Sequence, residues 1–304
     1  MRAGLTSVAA ALVVGLASGC VVAPSLSADA DARVFDVVAT ISAWGSVLAQ
    51  LGGAHVREHS IIANPNADPH DYEPTPADGR TIATARLLLV NGIGYDAWAA
   101  KAAAANEDPR RVDLDVGKLV GVKTGGNPHR WYSPTDVTTV ADAITAGLKR
   151  IDPADATYFD QQRRAFDAVG LATYHRLVDE IRTAYAGTPI GASESVVVPL
   201  ADALGLTVMT PPSFLNAISE GAEPSAADRS TVDAQIETGQ IEVYVFNRQN
   251  STPDVAAQVS AARARGIPVV SMTETLTPAT ASFQDWQVAQ LRELRDALRQ
   301  AAGR

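Results

Sequence analysis

The feature that most limits how this chain can fold is a long helical stretch near its middle. From Ala154 to about Ala186, Phe159, Phe166, Val169, Tyr174, Leu177, Val178, Ile181 and Tyr185 recur at spacings near three and four. That is the period of a helix burying one face. Around thirty residues rising 1.5 Å each make a rod of about 45 Å, longer than one small domain requires. Asp152-Pro153 separates it from an earlier helix that begins at Ser133-Pro134-Thr135-Asp136 and runs to about Lys149. There, a serine N-cap, a first-turn proline and an acid three residues on mark the start.

Such a rod is either a connector between two bodies or an ordinary domain helix, and the flanking sequence favours a connector. Before it, Phe35 to Ile41 (FDVVATI), Val56 to Ile62 and Leu87 to Asn91 read as strands, and Ala43 to Leu51 as a helix closed by Gly52-Gly53. After it, Pro189 to Ser193, Leu206 to Met209, Ile241 to Phe246 and Ile267 to Met272 read as strands. A last helix covers roughly Phe283 to Ala302, with Trp286, Leu291, Leu294 and Leu298 facing inward. Strands alternating with helices predict parallel sheets covered on both faces. The expected fold is α/β: an N-terminal lobe over 34–150, one long rigid connector helix over 151–186, and a C-terminal lobe over 187–304.

The first twenty residues differ from the rest. Arg2 gives a positive start, Val8 to Leu16 is a short apolar run, and Ala17, Ser18 and Gly19 lead to Cys20. The run is far shorter than the ~20 residues of a spanning helix and has the shape of a secretory signal over residues 1–19. Cys20 is the only cysteine among 304 residues, so no disulfide can form within the chain. Its place after Ala-Ser-Gly resembles a bacterial lipobox, which implies lipidation at Cys20 and a flexible tether over 20–33; an incidental thiol is the plain alternative. With 46% hydrophobic and 19% charged residues, a sizeable core is available. The formal charge is −9 and the basic residues are scattered, which argues against a nucleic-acid partner.

Only five histidines occur. His70 lies in Asn64-Pro65-Asn66-Ala67-Asp68-Pro69-His70-Asp71-Tyr72-Glu73-Pro74, and His129 in Asn127-Pro128-His129-Arg130-Trp131-Tyr132-Ser133-Pro134. Prolines and Asx residues make both segments stiff loops. A lone loop histidine is usually only solvated, but a matched pair in stiff Pro-His loops points to metal ligation. These two segments, with Val90-Asn91-Gly92-Ile93-Gly94-Tyr95-Asp96-Ala97-Trp98, resemble the zinc- and manganese-binding lipoproteins of bacterial ABC importers, the cluster A-I solute-binding proteins. The likeness runs from about Asp36 to the C-terminus.

The resemblance implies two α/β lobes joined by a rigid helix, with the metal held between them by one ligand from each of four loops. Its first two ligands fall on His70 and His129. Its third, His or Glu in the family, falls on Glu194 in Gly191-Ala192-Ser193-Glu194-Ser195. Its fourth, usually Asp, falls on Glu274 in Met272-Thr273-Glu274-Thr275-Leu276. All four follow the expected carboxyl ends of strands, where open α/β sheets bind ligands. Two imidazoles and two carboxylates suit Zn²⁺, Mn²⁺ or Fe²⁺, not Cu⁺, and give a neutral site around a divalent ion. The implied function is extracytoplasmic: a monomer anchored to the membrane by lipid, capturing zinc or manganese and passing it to an ABC permease, with no catalysis.

Two other histidine contexts need separate readings. His55-Val56-Arg57-Glu58-His59 matches the inverted zinc-protease pattern, which requires a helix; here it follows Gly52-Gly53 and alternates like a strand, where four residues span about 13 Å. His175 falls inside the connector and reads as a helix-surface or packed residue. Leu119 to Asn127 (LVGVKTGGN) lacks the His- and Asp-rich loop found in many zinc-binding relatives, and that absence together with Glu194 leans towards manganese. The Irving–Williams order leans towards zinc. A metal-dependent hydrolase, a surface adhesin of the same fold and a haem or iron-chelate binder are the rival readings.

Overall fold

The computed structural model describes Met1 and residues 34–303; nearly all of the expected signal, the lipidation site at Cys20 and the whole tether lie outside the described residues. The first lobe runs β1 (Phe35–Ile41), α1 (Ser42–Gly52), β2 (Val56–Ile62), α2 (Pro76–Thr84), β3 (Leu87–Val90), α3 (Ala97–Ala105), β4 (Val112–Asp115) and α4 (Val116–Val120). Three helices follow: α5 (Pro134–Ile151), α6 (Ala156–Ala165) and α7 (Ala172–Tyr185). The second lobe runs β5 (Pro189–Ala192), α8 (Val198–Leu204), β6 (Thr207–Val208), α9 (Pro212–Ser219), α10 (Ala226–Glu237), β7 (Val243–Asn247), α11 (Pro253–Ala264), β8 (Val269–Met272) and α12 (Phe283–Ala302).

Both sheets are four-stranded and parallel, and they share one topology: β2-β1-β3-β4 in the first lobe and β6-β5-β7-β8 in the second. In each, the order reverses beside the first strand, opening a crevice at the strands' carboxyl ends. β1 and β3 are apolar almost throughout and are buried on both faces, as parallel strands between helical layers must be. β4 was not among the expected strands. Its sequence, Val-Asp-Leu-Asp, carries two aspartates, and it lies at the sheet edge with only Val112 fully buried.

The helical span after Asp152 is not one unbroken rod. A five-residue π turn, Phe166–Gly170, divides it into α6 and α7. Gly170 has no side chain to stabilise a helical turn, and glycine weakens a helix by about 1 kcal/mol relative to alanine. The wide turn adds a residue and shifts the phase of the apolar stripe. Val169, expected to face inward, is 76% exposed, whereas Phe159, Phe166, Tyr174, Leu177, Val178 and Ile181 are buried as their spacing predicts. α6 packs on α1 and α5, and α7 packs on α8 and α12, so the break falls where the span passes from one lobe to the other.

One continuous apolar core runs through both lobes, with Trp44 and Trp131 on one side and Phe283 and Trp286 on the other. Hydrogen bonds also cross the boundary. Tyr132 Oη lies 2.6 Å from the Thr273 carbonyl, the Leu276 amide donates to Ser42 Oγ at 3.2 Å, and the Phe283 amide donates to Ser46 Oγ at 2.9 Å. Among the described residues, no helix is long and apolar enough to cross a membrane.

Candidate metal centre

His70 sits in a single 3-10 turn, Pro69–Asp71, whose first amide is held by its own sequence: Asp68 Oδ1 accepts from the His70 amide at 2.9 Å. Proline at the turn's first position pre-sets the backbone. His129 is positioned by Asn127, whose Oδ1 accepts from the His129 amide at 3.0 Å and lies 3.0 Å from His129 Nδ1. The Asn127 amide nitrogen donates to the Ser195 carbonyl at 2.7 Å, which fixes the orientation of that amide. A carbonyl oxygen can only accept, so Nδ1 of His129 is placed to donate to Asn127, and Nε2 turns inward towards His70 and Glu274. This is the arrangement that orients a ligating imidazole.

Nε2 of His129 faces Nε2 of His70 at 3.4 Å and Oε2 of Glu274 at 3.1 Å; the third side, His70 Nε2 to Glu274 Oε2, is 3.5 Å. A tetrahedral ion with bonds of about 2.0–2.1 Å sets its ligand atoms about 1.6 bond lengths, or about 3.3 Å, apart. The triangle therefore has the dimensions of one face of such a tetrahedron. Glu274 and His129 are fully buried and His70 is partly so. Two of these three atoms come from the first lobe and one from the second.

Glu194 is not part of this triangle. It lies next to it, fully buried, with Oε1 accepting from Asn247 Nδ2 at 2.7 Å and Oε2 from Asn250 Nδ2 at 3.1 Å. The same Asn247 nitrogen donates to Glu274 Oε1 at 2.8 Å, so one amide ties the two carboxylates together. Glu194 follows β5 and Asn247 ends β7, which places both at the point where the second sheet's strand order reverses.

Several residues complete the centre that sequence reasoning did not single out. Tyr95 donates its hydroxyl to Glu274 Oε2 at 2.9 Å. Asp96 holds the loop carrying Tyr95, its carboxylate accepting from the amides of Asn91 at 2.6 Å and Gly92 at 2.8 Å. Gln249 Oε1 accepts from the Glu274 amide at 2.6 Å, and its Nε2 donates to the Ala67 carbonyl at 2.9 Å. The fourth-ligand loop is thereby fastened to the loop that carries His70. Tyr95 lies within a recognised motif and could have been found from it; Asn247 and Gln249 have no local signal, because only the sheet topology brings them in.

Two carboxylates in a buried space create an electrostatic demand for a cation. Burial pushes the Glu194 carboxyl well above its ordinary range, and the neighbouring Glu274 charge adds to the effect. Burial would also raise Glu274, but the imidazoles of His129 and His70 and the Tyr95 hydroxyl outweigh it and hold that carboxyl at about 2. Burial lowers the His70 imidazole below its ordinary value, with Glu274 opposing. A cavity of about 410 Å³ opens from His70 and Tyr95 to the surface, past Asp68, Asp71, Asn127, Ser219 and Glu220.

The other histidines lie elsewhere. The inverted protease pattern falls on a turn and β2, as its alternation predicts, and its histidines take different partners: His55 faces Asp155 at 3.2 Å and His59 faces Asp36 at 3.4 Å. His175 is half-buried on α7.

Fold and site together define a class: a two-lobed α/β binding protein with a buried His/His/Glu centre at the lobe boundary. The family model described as "ZnuA: Zinc-uptake complex component A periplasmic" matches residues 37–297, and the chain belongs to that family. It is 31% identical over 153 residues to the metal ABC transporter substrate-binding lipoprotein ScbA of Streptococcus cristatus, covering 46% of this chain and 49% of that protein. It is 28% identical over 141 residues to the iron-binding protein YfeA of Yersinia pestis, covering 44% of this chain and 45% of that protein. The chain thus spans about half the length of the curated relatives it matches. Among solved structures, a ZnuA crystal structure superposes with a TM-score of 0.69 at 23% identity, covering 87% of this chain and 99% of that one. A manganese-bound periplasmic metal-binding protein from Candidatus Liberibacter asiaticus gives 0.71 at 19% identity, with the same coverage. These likenesses show the shared fold.

Proposed function

We propose that the protein captures a divalent transition metal, zinc or manganese, outside the cytoplasmic membrane and delivers it to an ABC importer permease. The observation that carries this reading is the triangle of His70 Nε2, His129 Nε2 and Glu274 Oε2, with sides of 3.4, 3.1 and 3.5 Å. Glu194 supplies the fourth ligand by exchanging its Asn250 contact for the ion. The set is then two neutral imidazoles and two carboxylates, neutral overall around a divalent cation.

The cargo itself follows from the amides around the carboxylates. Asn247 donates to Oε1 of both Glu194 and Glu274, while Glu194 Oε2 accepts from Asn250 and Glu274 Oε2 from Tyr95, so bidentate binding by either carboxylate would compete with an amide. Binding through one oxygen each would give four ligand atoms, the number zinc prefers. Manganese, with its preference for six oxygen-rich positions, requires Asn247 to release a carboxylate oxygen or water to enter. The residue types alone admit both metals, and competition between them for the demetallated protein separates the two.

No water position or catalytic base is needed for this role, and we read the protein as a carrier without enzymatic turnover. Family membership supports delivery to a permease, and the lipobox-like run before Cys20, with relatives named as lipoproteins, supports a lipid anchor there. Isothermal titration of the demetallated protein with Zn²⁺ and with Mn²⁺ tests the reading. His129→Ala and His70→Ala are each expected to weaken binding at least ~100-fold, since each removes a direct ligand. Unchanged affinity in both variants would refute it.

A further inference from the structure

Outside the transport centre, one more group of side chains is arranged to receive a cation. His55 closes the turn between α1 and β2, and Asp152 and Asp155 stand at the corner between α5 and α6. A His55 ring nitrogen and one oxygen of each carboxylate lie within 4.8 Å of one another.

Three observations set this cluster apart from ordinary surface acids. The His55 side chain is only 10% exposed, its ring lying 4.3 Å from that of Tyr158 and 5.5 Å from that of Phe159. Its Nδ1 lies 3.2 Å from Asp155 Oδ2 yet off the line of a hydrogen bond, so that nitrogen has no hydrogen-bond partner among the described residues. An imidazole nitrogen and a carboxylate oxygen facing one another off-axis at this distance fit two ligands of one ion better than a donor and an acceptor.

The aspartates give the second and third observations. Asp152 precedes the short turn Pro153–Asp155 and Asp155 precedes α6, both positions where an aspartate normally caps the backbone; neither side chain does so. Nor does either pair with a lysine or arginine among the described residues, where the nearby Lys149 is taken by Asp160 and Arg163 by Asp142. Asp152 also ends α5, where the helix's last carbonyls favour a positive charge. Asp155 is 40% exposed, which leaves an approach for the ion and for water.

We propose that His55, Asp152 and Asp155 form a second divalent-cation site, separate from the transport centre. One imidazole, two carboxylates and water make a mixed N/O set of zinc type; a calcium site would require oxygen ligands throughout. Bound there, the ion clips the α1–β2 turn to the corner where the connecting helices begin. His55 is half of the inverted protease pattern in the sequence, and here it works with acids about a hundred residues away instead of with Glu58 and His59.

The test is equilibrium dialysis of the demetallated protein against Zn²⁺ alone, counting equivalents bound at saturation. The parent is expected to take two. His55→Ala, and separately the paired change Asp152→Asn with Asp155→Asn, are each expected to take one. Replacing both His70 and His129 with alanine is expected to leave one, so failure of the transport reading and failure of this one register in different variants. The paired asparagine variant keeps the His55 ring in place, and far-UV circular dichroism verifies its fold. A parent that binds one equivalent, or a second equivalent that survives in the paired asparagine variant, overturns the proposal.

Discussion

The residue on which most of the chemistry turns is His129. It is fully buried, its ring lies edge-on to Trp131 at 5.5 Å, and it is held at both its amide and Nδ1 by Asn127. Asn127 Oδ1 is the nearer of two groups at Nδ1, with Ser195 Oγ at 3.4 Å. Asn127→Ala is therefore expected to weaken metal binding by about 10–100-fold through loss of the tautomer and ring orientation, read by titration against the parent; an unaltered affinity would show that the ring is positioned by packing alone. Burial raises the Glu194 carboxyl above 4.5, so the folded, metal-free protein favours its protonated form. That contribution to stability is present below about pH 4.5 and is lost as pH rises through the folded pKa. His70 is lowered below 6.5, so its neutral form is favoured and its contribution is lost as pH falls. The ion requires Glu194 ionised and His70 neutral, and both conditions improve with rising pH. The rise in melting temperature on adding Zn²⁺ is thus expected to grow from about pH 5 to about pH 8; a shift that is flat or shrinks across that range would contradict the ligand set. The two histidines stood out as candidate ligands in the sequence because stiff Pro-His loops have few structural uses. Glu194 and Glu274 were legible only through family likeness. Asn247 and Gln249 were not, since an isolated amide at a strand end carries no local signal and acquires its role when β7 is placed between β5 and β8.

At the scale of elements, the loops do as much as the sheets. The segment from Asn91 to Asp96 turns through Gly92 at φ 71°, Ile93 at φ 62° and Gly94 at φ 103°, and Asp96 ties its start. This is how Tyr95 is brought to Glu274. A Cβ at Gly92 would stand 2.3 Å from Asp115 Oδ1 and would impose a left-handed residue that only glycine adopts without strain. Gly92→Ala is expected to cost about 1–3 kcal/mol of stability in chemical denaturation and to weaken metal binding through displacement of Tyr95. A variant as stable as the parent would show that the loop has another way to settle. The strands with continuous apolar runs were readable, and β2 was correctly separated from a protease helix by its alternation. β4 was not, because Asp113 and Asp115 mask a strand whose outer edge faces water. The π turn at Phe166–Gly170 was likewise invisible: the apolar residues on both sides keep spacings near three and four, and one inserted residue changes only where Val169 points.

For the whole molecule, the same strand order occurs in both lobes, and the candidate metal centre draws its side chains from both. The first lobe contributes His70 and His129, and the second contributes Glu274 and, in our reading, Glu194. The boundary is already closed by Tyr95, Asn127, Tyr132 and Gln249, each hydrogen-bonded across it or to the opposing loop. An ion entering this centre meets ligands held nearly in place, so capture is expected to need small side-chain movements, chiefly of Glu194, and little change in the lobes. The two-lobed architecture could be argued from sequence because the strand-helix alternation occurs twice around a helical span. That the span is split between the lobes depends on packing that the sequence alone does not display. The most direct measurement is a crystal structure of the zinc-loaded protein with anomalous scattering recorded at the zinc edge. The account predicts an anomalous peak bonded at about 2.0–2.1 Å to His70 Nε2, His129 Nε2, one oxygen of Glu274 and one of Glu194. The absence of a peak among these four residues would contradict it.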